Sequence, residues 1–447
     1  MPARAQYVED SIDVGGAWVG SLTYNSRMNV VYGASEDGIL FTISCDSNRL
    51  IHSASLGGAL RVVYDSVGNK AYCVADGGDG TVAVIDGSTH DVIRSIPMAG
   101  STNLVWDSVG DRVYVANDEA GNVGVIDCRS DSVIAMIPCP GGPWELDMNA
   151  PGRKLYVRNY DAGSVTIISM ALNAVIRTLP VGSTPESGTY CPTQQKYYCS
   201  RGWDLMVVSG TADTVVGYLQ LPGTTAASHF DMAWLPSSDF VAVCAYNGGG
   251  TDSVVIINPT SDTVIAALAV GNGPTSLYWH QATGRLYCAI AGSSCVTVIS
   301  ADGLRIETTL PVGYYPFTMT ASPQNGRIYV GHLGSRYVYV VRDTAAAVAE
   351  EPSSVMWGVS MSASPNPFDA HVGFSGSGGS NPPAELCVFS RDGERVAVLH
   401  TVNAGAGRWW CAWDGRDDLG RPAPAGVYFV RSPGYAARSI VKTRESR

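Results

Sequence analysis

The sequence has few charged residues and no long apolar run, and both features limit what it can be. Only 15% of its 447 residues are charged. No apolar stretch approaches the roughly 20 residues that a membrane-spanning helix needs. Residues 1–10 lack an apolar core, so no signal peptide is predicted in this chain. We therefore expect either a cytosolic protein or an exported one whose leader has been removed.

Cysteine and histidine are present without the spacing of a ligand set. The eleven cysteines form no CxxC pair and no CxxCH haem motif, and no two histidines are spaced i,i+2 or i,i+4. Cys73, Cys199 and Cys288 follow a repeated tyrosine, where other parts of the chain have valine, which favours small buried hydrophobes. The sequence therefore predicts no metal site and no cofactor.

The charge balance is acidic, with a formal net charge of −11. The segment from residue 359 onward has slightly more basic than acidic residues, so the acidity lies in the first part of the chain. An acidic surface repels phosphate backbones, and we expect no nucleic-acid partner.

What the sequence does contain is a repeat, seen most clearly over residues 113–157. Short β-branched or aromatic runs alternate there with Gly, Asn, Asp or Pro turns, which is typical of antiparallel strands. Four strands in a period of about 42 residues indicate a propeller blade. Eight copies of the third strand occur, and a tyrosine opens the second strand in seven of the copies, at Tyr32, Tyr72, Tyr114, Tyr156, Tyr198, Tyr287 and Tyr329.

These copies predict an all-β fold with an eight-bladed β-propeller over residues 1–343. The last copy lacks a fourth strand, whereas residues 7–14 match a fourth strand that has no blade before it. We predict that this N-terminal strand completes the last blade, because a closed ring leaves no unpaired edge. A seven-bladed ring is the alternative, with the divergent unit at residues 184–223 as a decoration.

The period stops after residue 343. Residues 344–358 have the small, acidic and Pro-containing composition of a linker. Short strands then resume without the period, and they predict a small immunoglobulin-like β-sandwich over residues 359–447.

Both parts of the chain resemble known families. The motifs YVAN, VGVID and PGRKLYV resemble the YVTN family of β-propeller repeats. This resemblance implies an exported or surface-layer protein, and the family has relatives that act as lyases or lactonases. In the tail, SPNPF, FSRDGERV and WDGRDDLGRPAPAGVYFVR resemble the Ig-like domain of flagellar-hook capping proteins and the C-terminal sorting domain of type IX secretion.

Polar residues recur at one position of the first strand in every repeat. They are Ser21, Arg61, Asn103, Glu145, Ser187, Asp231, Ser276 and Thr318. Successive strand residues face opposite sides, so this set shares one environment, which we interpret as the central channel. We predict a ligand site formed by Arg61, Asn103, Glu145 and Asp231, with His229 at its rim, for a polar metabolite or a peptide end. A wetted channel wall without a ligand is the alternative.

Large aromatic residues precede or open several first strands. Trp18, Trp144, Phe230 and Phe317 predict a surface that stacks on sugars or peptides. Packing between blades is the alternative.

Together these features predict a non-enzymatic extracellular or cell-surface binding scaffold. The propeller would be the interaction platform for a protein or a cell-surface glycan, and the Ig-like tail would anchor the protein or let it self-assemble. The alternative is a lyase- or lactonase-like enzyme in the channel, for which His229 and Glu145 are the best acid–base pair. We assign no catalytic residue.

Overall fold

The computed structural model describes residues 6–58, 61–75, 80–222, 231–246, 252–300 and 302–343, and seven segments of the tail, 360–364, 372–377, 385–390, 395–405, 408–418, 420–432 and 435–442. The chain divides into two compact units, Met1–Ala347 and Val348–Arg447. The predicted linker at residues 344–358 lies outside the described residues. Among the residues described, no helix has the length and apolar character needed to cross a bilayer.

The first unit is built from eight four-stranded antiparallel sheets. After β1 (Gln6–Asp13), the strands of blades one to four are β2 (Val19–Asn25), β3 (Val30–Ser35), β4 (Ile39–Ser44), β5 (Arg49–Ser55), β6 (Arg61–Asp65), β7 (Lys70–Ala75), β8 (Thr81–Asp86), β9 (Val92–Pro97), β10 (Ser101–Asp107), β11 (Arg112–Asn117), β12 (Asn122–Asp127), β13 (Ser132–Pro138), β14 (Pro143–Asn149), β15 (Lys154–Asn159), β16 (Ser164–Ser169) and β17 (Ala174–Pro180). Those of blades five to eight are β18 (Gly188–Cys191), β19 (Lys196–Arg201), β20 (Asp204–Ser209), β21 (Thr214–Gln220), β22 (Met232–Leu235), β23 (Phe240–Ala245), β24 (Asp252–Asn258), β25 (Thr263–Gly271), β26 (Pro274–His280), β27 (Arg285–Ile290), β28 (Cys295–Ile299), β29 (Ile306–Pro311), β30 (Pro316–Ser322), β31 (Arg327–His332) and β32 (Tyr337–Asp343).

The ring is closed by the N-terminal strand, as predicted. β1 pairs antiparallel with β32, with Ile12 opposite Val338 and Tyr7 opposite Arg342. β2 of the first blade also contacts β30 of the last. The count of eight blades is confirmed. The seven-bladed alternative is wrong, because the divergent unit at residues 184–223 forms the complete sheet β18–β21.

The core is divided among the blade interfaces. One apolar cluster lies at each of the eight interfaces between neighbouring sheets, and strands two and three supply most of its residues. Fourth strands such as β17 are mostly exposed. Each blade is therefore stabilised mainly by burying both faces of its inner strands against its neighbours.

In several blades the repeated tyrosine forms a hydrogen bond to a neighbouring blade. The Tyr72 hydroxyl donates to Asp131 Oδ1 at 2.6 Å, and the Tyr114 hydroxyl donates to Asn173 Oδ1 at 3.1 Å. Both acceptors occupy the turn between the third and fourth strands of the following blade, with φ of 49° for each. Asp and Asn tolerate this left-handed conformation better than most residues. The Asp or Asn that the turn conformation favours is thus also the residue that accepts the tyrosine hydrogen bond.

The second unit is a β-sandwich. Its strands are β33 (Ser360–Ser364), β34 (Val372–Ser377), β35 (Glu385–Phe389), β36 (Arg395–His400), β37 (Val402–Gly405), β38 (Arg408–Trp413), β39 (Gly426–Ser432) and β40 (Tyr435–Lys442). They form two sheets, β33-β34-β38-β37 and β36-β35-β39-β40. Side chains from both sheets share one core, in which the rings of Trp413 and Tyr428 meet edge to face at 4.9 Å.

Candidate functional site: the propeller channel

The structure gathers the aligned first-strand residues around one central cavity. Seven of the eight line a space of about 230 Å³, together with Gly20, Arg158, Glu186, Thr275 and Phe317. The eighth, Asn103, donates from Nδ2 to Glu145 Oε2 at 2.9 Å. Every first strand lies at the same position relative to the ring axis, so equivalent residues of these strands meet at the centre. Their role in ligand binding stays a prediction.

Glu145 is the centre of the charged groups in this cavity. One carboxylate oxygen lies 3.6 Å from Arg61 Nη2, and the other lies 3.4 Å from Arg158 Nη2. Arg61 also donates from Nη1 to the Gly20 carbonyl at 3.2 Å. The side chain of Arg61 is 29% exposed, so this guanidinium is accessible from the cavity.

Arg158 is a residue of this site that the sequence analysis missed. Its side chain is only 6% exposed, and its Nε lies 3.0 Å from Asp147 Oδ2. The Tyr197 hydroxyl donates to the same oxygen at 2.7 Å. Arg158 also donates to the Glu186 carbonyl. Burial raises the pKa of Asp147, and the charge of Arg158 opposes that rise.

A sequence signal for Arg158 does exist. Arg158 lies directly opposite Glu145 on the neighbouring strand β15. At the same register position, other blades have Val74, Ala116 and Ala289. Aligning the second strands as well as the first would have shown this single cation beside an acid.

Asp231 is occupied by backbone groups. Its Oδ1 accepts from the Met232 amide at 2.8 Å, and its Oδ2 accepts from the Leu277 amide of the next blade at 2.7 Å. Burial raises the pKa of Asp231 to about 6 in spite of these two bonds. Ser21 likewise accepts from the Val62 amide of the next blade at 3.1 Å. Polarity at these two positions therefore also serves to connect neighbouring first strands.

Several exposed aromatic residues share one face of the ring. Strands alternate in direction within each blade, so loops that lead into first strands lie on the same face as turns between second and third strands. Trp18 and Tyr314 occupy such loops, and Trp144 is the second residue of β14. Tyr160 and Trp203 occupy turns between second and third strands. All five side chains are exposed. We call this the aromatic face. The channel positions lie near the starts of the first strands, so the cavity is closest to this face.

Of the remaining predicted residues, the structure describes Phe317 and Trp144 but not His229 and Phe230. Phe317 lines the channel cavity rather than standing free on the surface. The rings of Trp144 and Tyr160 lie 5.9 Å apart. His229 and Phe230 lie outside the described residues, so the structure places neither of them.

A second cleft adjoins the channel on the aromatic face. It has a volume of about 190 Å³ and is lined by Ser183, Thr184, Glu186, Ser200 and Gly202. Glu186 lines both the cleft and the channel cavity. Within the described part of the chain, no hydrogen bond or ion pair reaches its carboxylate, whose pKa is raised by burial. This carboxylate is available to a ligand from either side.

Fold and site together define an eight-bladed β-propeller with a charged channel, followed in sequence by a β-sandwich. The family described as YNCE-like beta-propeller matches residues 14–192, which is less than half of the chain. No curated protein sequence matches this chain.

Solved structures resemble the chain in fold. The computationally designed Ika8 protein superposes with a TM-score of 0.60 at 12% identity, covering 74% of this chain and 98% of its own. The dihydro-heme d1 dehydrogenase NirN gives 0.58 at 13% identity, covering 66% and 67%. A chain of the Mitotic Checkpoint Complex gives 0.52 at 15% identity, covering 75% and 91%. At these identities the likeness concerns the fold alone.

Proposed function

We propose that this protein is an extracellular or cell-surface binding scaffold whose aromatic face recognises a protein or a glycan. The observation that carries the proposal is the combination of exposed aromatic rings with a charged channel and an adjoining cleft. Trp144 and Trp203 are exposed, and large exposed rings supply contact area at low entropic cost. Glu186, between the two cavities, supplies a polar anchor.

The charges of the channel favour a ligand end that carries both signs. Arg61 offers a cation, while Glu186 offers a carboxylate that no described residue pairs. A peptide end or a sugar that carries both an acidic and a basic group would complement these two side chains. The acidic net charge of −11 argues against nucleic acid as the ligand.

The test is a binding screen of the full chain on peptide and glycan arrays. We expect a bound class whose signal falls at least about tenfold in Trp144→Ala and Glu186→Gln, because central aromatic and anchoring groups dominate binding energy. Leu172→Ala is the matched control, since Leu172 is exposed on the opposite face. Equal losses in the control, or no loss in either variant, would overturn this assignment of the face.

The tail is proposed to anchor or assemble the protein. Its two sheets place the strands in the order A-B-E-D and C′-C-F-G when lettered along the chain, which is the arrangement of immunoglobulin-like sandwiches. This order supports the resemblance to hook-capping and sorting domains that the sequence motifs suggest.

Deleting residues 359–447 tests the role of the tail. We expect the truncated, epitope-tagged protein to be lost from the surface fraction of its source cells while its circular dichroism stays that of a folded β-protein. Unchanged surface retention or unchanged assembly of the truncated protein would contradict anchoring by the tail.

A lyase or lactonase in the channel is the second candidate. It is motivated by the convergence of Arg61, Arg158 and Glu145 on one cavity. Turnover of a lactone panel that is abolished by Glu145→Gln would favour this enzyme over the scaffold.

A further inference from the structure

Two carboxyl groups and a thiol meet at the interface between blades two and three, on the face opposite the aromatic one. Asp65 ends β6, Asp111 lies in the turn between β10 and β11, and Cys128 directly follows β12. All three residues are buried, and one potential ligand atom of each lies within 4.8 Å of those of the other two.

The same position in three other interfaces holds complementary pairs. Asn25 Nδ2 donates to Asn69 Oδ1 at 3.4 Å between blades one and two. Arg153 Nη2 donates to Asp107 Oδ2 at 2.7 Å between blades three and four. Ser322 donates to Asn29 Oδ1 at 2.8 Å between blades eight and one. Between blades two and three, two acids take the place of such a pair.

Nearby groups neutralise these acids only in part. Asp65 Oδ1 accepts from the Val67 amide at 2.7 Å and the Gly68 amide at 3.0 Å, and Oδ2 accepts from Gly68 at 3.1 Å. Arg129 Nε lies 3.6 Å from Asp111 Oδ2, but this arginine side chain is 82% exposed. Lys70 Nζ donates to the Cys128 carbonyl and to Asp131. These contacts leave an excess of negative charge.

One oxygen in the cluster has no partner. Asp111 is 6% exposed, and its buried Oδ1 makes no hydrogen bond to any residue that the structure describes. Its other oxygen faces Arg129 at the surface, so Oδ1 is the one directed inward. A buried acceptor without a donor is costly, and a cation is the group that would satisfy it.

We propose that Asp65, Asp111 and Cys128 bind a divalent, thiophilic metal ion of the zinc class that joins blades two and three. Zinc takes thiolate and carboxylate ligands in a tetrahedral shell, so three protein ligands leave one position for water. As the sulfur–metal bond forms, the Cys128 thiol releases its proton to solvent. The ligands are far apart in sequence and come from two blades, which is why their spacing gave no motif.

The experiment loads the full chain with zinc, removes excess ion by gel filtration and measures bound metal by mass spectrometry. We expect about one zinc per chain, together with a zinc-dependent rise in Tm. Cobalt(II) is expected to give a thiolate charge-transfer band. Cys128→Ser and Asp111→Asn should lose bound zinc, the Tm rise and the cobalt band.

Cys45→Ser is the matched control. Cys45 follows β4 as Cys128 follows β12, and each amide donates to the turn residue of its own blade, Asn29 or Asp111. Among the described residues no acid pair accompanies Cys45, so this variant should bind zinc as the wild type does. Asp111→Asn keeps the test valid if Cys128→Ser fails to fold, because asparagine already occupies the equivalent turn positions Asn29 and Asn69 with positive φ.

Three outcomes would overturn the proposal. The first is a wild type that retains no zinc and shows no Tm rise. The second is equal binding by wild type and Cys128→Ser. The third is a wild type whose Tm does not respond to zinc, combined with an Asp65→Asn variant that is more stable than this wild type. That result would mean that the two acids share a proton instead.

Discussion

Replacing Arg158 with methionine removes the cation that two carboxylates share. Arg158 lies 3.0 Å from Asp147 and 3.4 Å from Glu145, and the side chain of Asp147 is 17% exposed. Removing one partner of a buried ion pair costs about 3–5 kcal/mol, because the other charge stays buried and uncompensated. Glu145 keeps Arg61 as a partner, so we expect a loss near the lower end, about 3 kcal/mol in the free energy of unfolding.

The deficit should depend on pH with a definite sign. Burial holds the pKa of Asp147 above its ordinary value although Arg158 opposes the rise. Without Arg158 this pKa rises further, so the folded variant binds a proton more tightly than the unfolded chain does. The variant therefore regains stability as the pH falls through the folded pKa. Adding Asp147→Asn removes the charge and should recover most of the deficit at neutral pH.

The assay is urea unfolding of the full chain, followed by tryptophan fluorescence at several pH values. Arg61→Met is the matched control: its side chain is 29% exposed and lies 3.6 Å from Glu145, so it should cost about 0.2–1 kcal/mol. A loss of less than about 1 kcal/mol in Arg158→Met, or a deficit that grows toward acid pH, would refute the reasoning.

Three further predictions concern the ring. Deleting residues 1–13 removes β1, which should lower the Tm and promote association through the exposed edge of the last blade. If calorimetry shows an unchanged Tm and light scattering shows a monomer, closure of the ring by β1 is contradicted. Since burial raises the pKa of Asp231 from 3.8 to about 6, stability should fall as the pH rises through that window. In Asp231→Asn, the midpoint of urea unfolding should change less with pH over the same window. Tyr72→Phe removes the 2.6 Å donor of Asp131 Oδ1, while Lys70 still donates to Oδ2, and it should cost about 1–3 kcal/mol. The Tyr156 hydroxyl has no hydrogen bond among the described residues, so Tyr156→Phe should be nearly neutral, and equal losses in thermal unfolding would contradict this role of the tyrosine.

The repeat made the propeller predictable from sequence. Short strands and a tyrosine at a constant position set the blade, and the missing fourth strand of the last copy pointed to residues 7–14. The same constant register placed Arg61 and Glu145 at the channel, because equivalent positions of equivalent strands meet at the axis.

The roles of individual residues were less accessible, because they depend on contacts between blades. Asp231 has the appearance of a ligand group, yet both its oxygens accept backbone amides. Arg158 lies on a second strand, which the alignment of first strands does not include. Asp65 and Asp111 belong to different repeats, and only the packing of one blade on the next brings them together.

Closure by β1 has a consequence for how the polypeptide is made. Gln6 and Asp343 are 337 positions apart and share a hydrogen bond. Bringing chain ends this distant together costs about 2 kcal/mol more than closing a loop of one blade length. β1 therefore has to wait for the last blade to be synthesised before it can pair. Until then the nascent chain exposes two unpaired strand edges, and a chaperone would protect the chain most during this interval.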